Sequence, residues 1–173
     1  MKTILAPIDF SAAGELVIAE AVTLASALNA RLILLHVLPP PVVTDSELGT
    51  QMSAEYAATG SAETARRLSG LEKQLLAQSI TVETRHLVGL PGHCILELAR
   101  TLGVDYIVLG SHGHGAFYEL VVGSTTGRVL KHTHCPVVVV PQVWKKTADR
   151  LKTVAAVQPL SASNSRAERG RLL

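Results

Sequence analysis

Tyr106-Ile-Val-Leu-Gly-Ser-His-Gly113, resumed nine residues later by Gly123-Ser124-Thr125-Thr126, is the stretch on which the fold turns. Tyr106 to Leu109 is a short apolar run of the kind that forms a buried parallel strand. Glycines at the end of such a strand let backbone N–H groups approach a ligand with no Cβ in the way. Thr125 to His132 then suits a helix, with the Ser124 hydroxyl as its N-cap. A glycine loop feeding a helix N-terminus collects phosphate through converging donors and the positive end of the helix dipole. The stretch therefore predicts a nucleotide site at the mouth of a parallel sheet.

Strand and helix signals alternate through the rest of the chain. Thr3 to Ile8 reads as a first strand ending at Asp9, and Ser11 suits the cap of a helix with apolar positions Ile18, Val22, Ala25 and Leu28, closed by Asn29. Arg31 to Leu38 is a second strand, stopped by Pro39-Pro40-Pro41. Residues 42–50 read as a loop, and Gln51 to Gln78 as a helix with Gly60 and Gly70 as weak points. Thr81 to Val88 is a third strand, Gly89 to Gly92 a turn, His93 to Leu102 a helix, and Pro136 to Val140 a fifth strand. Five strands separated by helices predict an α/β fold. The expected form is an open, doubly wound, five-stranded parallel sheet, order 3-2-1-4-5, with helices on both faces. Such sheets bind ligands beyond the carboxyl ends of their strands, where the strand order reverses. Asp9, Val37 and Gly110 all fall at strand C-termini.

Composition agrees with that layout. At 173 residues, 47% hydrophobic but only 3% aromatic, the chain has enough for one full core, built of Val, Leu, Ile and Ala. Residues 142–173 carry seven Lys/Arg against two acids, which leaves residues 1–141 at −3. The expected division is a nucleotide-binding domain over 1–141 and a basic tail over 142–173, disordered or partly helical. A mildly acidic body argues against nucleic acid as a partner. No stretch approaches the roughly 20 apolar residues of a membrane span, and Met1-Lys2 leads straight into the first strand with no secretory signal. Cys94 and Cys135 have neither metal nor redox spacing, which fits a reducing cytoplasm.

Gly110-x2-Gly113-x9-Gly123-Ser124, with Ala6-Pro7-Ile8-Asp9-Phe10-Ser11 before it and Cys135-Pro136-Val137-Val138-Val139 after it, resembles the universal stress proteins over roughly residues 1–141. Members with this glycine motif bind ATP, so the resemblance implies an adenine nucleotide, ATP or else ADP or AMP, with Mg²⁺ carried by the phosphates. It implies adenine between Pro7, Ile8 and Val37, and Asp9 as acceptor for the ribose hydroxyls. Gly110, Ser111, His112, Gly113, His114, Gly115 and Ala116 would wrap the ribose and phosphates. Gly123, Ser124, Thr125 and Thr126 would hold the phosphates. A homodimer through residues 137–140, acting as a stress-response regulator on a protein partner, is implied as well. Many nucleotide-binding members have basic residues in the nine-residue spacer; His114 and Glu119 stand there in this chain, which is expected to weaken triphosphate binding.

Other chemistries find less support. His112, His114, His132, His134 and Cys135 invite a metal, but the two groups lie at opposite ends of a helix spanning roughly 13 Å, too far apart for one zinc ion. No lysine of the Walker type follows Gly123, and no paired carboxylates flank the loop. Arg128 reads as part of a solvated face. A slow Mg²⁺-dependent ATPase, or an interaction module binding AMP or no nucleotide, stands as the alternative.

Overall fold

A computed structural model describes residues 1–40, 47–111 and 122–141, with backbone alone for 47–59. Five strands, β1 (Thr3–Ile8), β2 (Arg31–Leu38), β3 (Val82–Val88), β4 (Tyr106–Gly110) and β5 (Val137–Val140), alternate with four helices, α1 (Ala12–Leu28), α2 (Glu47–Ala77), α3 (Pro91–Leu102) and α4 (Ser124–His132). All strand pairs are parallel and the order is β3-β2-β1-β4-β5, as expected.

The central runs 4–6, 32–35 and 107–109 are apolar and buried because both faces of the sheet are covered there, whereas the edge strand β3 carries Glu83, Thr84, Arg85 and His86. Residues alternate between two layers. Ile4, Ala6 and Ile8 of β1 and Leu32 and Leu34 of β2 face Leu16, Val17, Ala21 and Ala25 of α1 and Leu68 and Leu75 of α2. Leu5, Ile33, Leu35, Ile107 and Leu109 face Ile95 and Ala99 of α3 and Val129 of α4. The chain thus changes face between β1 and β4, and a crevice opens there at the carboxyl ends of the strands.

Element boundaries follow local chemistry. Ser11 caps α1, its Oγ accepting from Gly14 N at 3.1 Å, and Asn29 ends the helix with a left-handed φ of 49°. Helix α2 runs through Gly60 and Gly70 without a break and starts four residues before the expected Gln51. Thr64, Leu68, Leu71 and Leu75 pack its inner face at helical spacing, and that burial outweighs the low propensity of two glycines. Helix α3 begins at Pro91 rather than His93, since proline's fixed φ suits a first turn. Strand β5 begins at Val137, because Pro136 offers only its carbonyl, which accepts from Ile107 N. Cys135 precedes that strand, half-buried, with its Sγ 3.5 Å from Thr133 Oγ1. Residues 41–46 and the tail 142–173 lie outside the described residues.

Candidate functional site

The crevice holds a cavity of about 630 Å³, within the range of small-molecule sites. Pro7, Ile8 and Asp9 from β1 and its exit line one side, and Val37 of β2 adjoins them. Gly110 at the end of β4 and Gly123 to Thr126 at the start of α4 line the other. Nine of the residues singled out in the sequence therefore meet around one space. Ser111 is described but does not line it, and His112, Gly113, His114, Gly115, Ala116 and Glu119 lie outside the described residues.

The α4 end is built without a side-chain cap. Gly123, not Ser124, is the N-cap residue, with ψ of 152°, and it makes no side-chain cap bond. The register is shifted because Gly123 is fixed from both sides. Its N–H donates to Ser111 O at 2.9 Å, and its carbonyl accepts the first helical bond from Gly127 N at 2.8 Å. Ser111 N in turn donates to Val140 O, so both ends of the glycine stretch are pinned beside β5. Thr126 is buried, and its hydroxyl donates to Gly110 O at 2.7 Å, tying the helix start to the end of β4. That hydroxyl is thereby engaged. The amides of Ser124, Thr125 and Thr126 precede the first helical bond and point outward from the N-terminus. Ser124 and Thr125 hydroxyls stand beside them. Anion binding at such an end needs no added cation.

Across the cavity, Asp9 Oδ1 accepts from Ser11 N at 3.0 Å and Ser11 Oγ at 2.5 Å. Asp9 therefore supports the α1 cap indirectly, and its Oδ2 has no partner among the described residues. Gly14 makes room for it: a Cβ there would lie 3.0 Å from Asp9 Oδ1. Ten lining residues were missed in the sequence, among them Gly14, Val17, His36, Pro91 and Ile95. A glycine in the first turn of an otherwise alanine-rich helix was the available signal for Gly14. The others come from elements that only the fold brings together.

Among the described residues of the site, His36 carries the one marked electrostatic perturbation. Its ring stacks on Phe10 at 4.9 Å and on His86 at 5.5 Å, with the two Nδ1 atoms 3.4 Å apart. Phe10 has a left-handed φ of 57°, unusual for an aromatic residue, and Arg67 lies 4.2 Å over its ring. Burial holds the His36 imidazole below its ordinary value; His86 and Arg67 add to that shift and Asp9 opposes it. Among the described residues, no Lys or Arg lines the cavity, no group of three or more His, Cys, Asp or Glu converges for a metal, and no helix is long and apolar enough to cross a membrane.

Comparison with known proteins agrees with this fold. The universal stress protein A homolog 1 of Coxiella burnetii is 33% identical over 84% of this chain and 97% of its own length. The solved structure of MJ0577, a universal stress protein of Methanocaldococcus jannaschii, superposes with a TM-score of 0.67 at 30% identity, covering 82% of this chain and 96% of that one. A universal stress protein solved in complex with cAMP has the same fold, with a TM-score of 0.61 at 23% identity over 82% of this chain and 98% of that one. The match to the universal stress protein family spans residues 1–141, from the first strand to the last, so the chain belongs to that family.

Proposed function

We propose that this chain binds ATP, with Mg²⁺ carried on the phosphates, and acts in the cytoplasm as a homodimeric stress-response regulator. One arrangement carries the reading: helix-start amides at Ser124 to Thr126 face Asp9, Pro7 and Val37 across a single cavity. Adenine is assigned to the apolar end at Pro7, Ile8 and Val37. Asp9 Oδ2 accepts from the ribose, while Oδ1 stays on Ser11. The phosphates are assigned to the amides of Ser124, Thr125 and Thr126 and the hydroxyls of Ser124 and Thr125. Gly110 and Gly123 keep the backbone close, and Ser111 to Ala116 are assigned to wrap the ribose and phosphates. Nucleotide occupancy alters the surface offered to a protein partner only so far as ATP prefers one conformation. Dimerisation is assigned to β5, a sheet edge with Val139 exposed, which needs cover.

A second reading, binding of AMP, is favoured by one observation. Without Lys or Arg on the described lining, each further phosphate adds charge that main-chain donors alone must balance. The related protein solved with cAMP also carries a single phosphate, although its 23% identity speaks to the fold alone. Extraction of nucleotide from the purified chain, identified by mass, separates the readings. ATP or ADP is the expected species; AMP alone favours the second reading, and an empty extract that stays empty after incubation with either nucleotide contradicts both.

A further inference from the structure

A second depression lies between α3 and α4 and shares no lining residue with the nucleotide cavity. It measures about 690 Å³, and His93, Arg100, Arg128, Lys131, His132 and His134 line it. Those are three of the nine Lys/Arg in residues 1–141 and three of the seven histidines, gathered on an acidic body. Glu97 is the only acid among them. None of the three strong cations pairs with a carboxylate among the described residues.

Helix dipoles explain part of the cluster. Arg100, Lys131 and His132 occupy last turns, where cations are favoured. His93 and Arg128 are not explained that way, since His93 sits in the first turn of α3, at the positive end. Arg128 is held there by packing: a Cβ on Gly92 would come within 2.8 Å of its Cδ. Its Nη2 lies 3.0 Å from His93 Nδ1. A guanidinium can only donate, so Nδ1 of His93 accepts and its Nε2 carries the hydrogen. The groove therefore presents a positioned row of donors.

We infer that this groove docks an acidic segment of a partner protein. A long polyanion such as nucleic acid meets repulsion from the rest of the −3 body. The chain's own tail, with seven Lys/Arg against two acids, carries the wrong sign to occupy it. Leu96 on the groove wall gives apolar footing that a peptide side chain uses and inorganic phosphate does not.

The test is fluorescence anisotropy of the full chain with a labelled peptide of alternating Glu and Leu, its Gln-for-Glu twin and a single-stranded DNA as comparisons. The Glu peptide is expected to bind and the twin not to bind. Arg100→Glu with Lys131→Glu should weaken the Glu peptide about tenfold. Glu97→Lys should tighten it about threefold, a gain that misfolding does not produce. Equal binding of the twin, equal or tighter binding of DNA through the same residues, or affinities unmoved by all three substitutions would each overturn the inference. The last result would place the peptide on the basic tail or elsewhere.

Discussion

Asp9 has one carboxylate oxygen engaged by Ser11, and the proposed function needs only the other. Oδ1 supports the Ser11 cap and Oδ2 is assigned to ribose. Asp9→Asn keeps an acceptor for Ser11 and loses the charged acceptor for the sugar. Nucleotide affinity should fall by roughly 1.5–3 kcal/mol, about tenfold to a hundredfold, with the melting temperature nearly unchanged. Calorimetry and a thermal melt on the same sample check this; equal affinity would remove Asp9 from the site. His36 makes a separate prediction. Burial and His86 hold it below 6.5 in the folded chain, so the unfolded chain binds more protons as pH falls through that window. Stability is thus full above about pH 6.5 and declines below it. His36→Asn should shrink the fall in melting temperature between about pH 7.5 and about 5.5. Parallel falls in the two proteins would show that His36 does not set that slope.

At the level of elements, the join between β4 and α4 depends on one hydroxyl. Thr126→Val keeps the shape and strands the Gly110 carbonyl. The expected loss is about 1–3 kcal/mol, or roughly 2–4 °C in melting temperature per kcal/mol, with weaker nucleotide binding as the helix start loosens. Urea denaturation that registers no loss would contradict this role. The same join marks the limit of what sequence conveys. Strand and helix identities were legible because apolar runs and caps are local: Arg31–Leu38 and Ser11 with Asn29 stand where they were expected. Cap identity at α4 was not legible. Ser124 has the better capping side chain, but hydrogen bonds from Gly123 to Ser111 and from Gly127 to Gly123 fix the helix one residue earlier. Those bonds depend on where β4 and β5 sit, which no window of sequence contains. For the same reason Asp9, Val37 and Gly110 could be assigned from strand ends, whereas His36 and Ile95 needed the assembled layers.

For the molecule as a whole, strand order decides both where the crevice opens and which two strands, β3 and β5, form the edges. The change of face between β1 and β4 opens the crevice, and the order leaves β5 as an edge of four valines. Val139→Lys places a charge on that edge and should convert the proposed dimer to a monomer in sedimentation, with the core intact because Val139 is exposed. Persistence of the dimer would move the interface elsewhere. The central claim is that main-chain amides at the α4 start retain nucleotide phosphate with no Lys or Arg on the described lining. Calorimetric titration of the full chain with ATP and Mg²⁺ tests it most directly. A saturable, one-to-one heat with a dissociation constant below about 1 mM, accompanied by a raised melting temperature, is the predicted result. Neither heat nor thermal protection at millimolar nucleotide would contradict it.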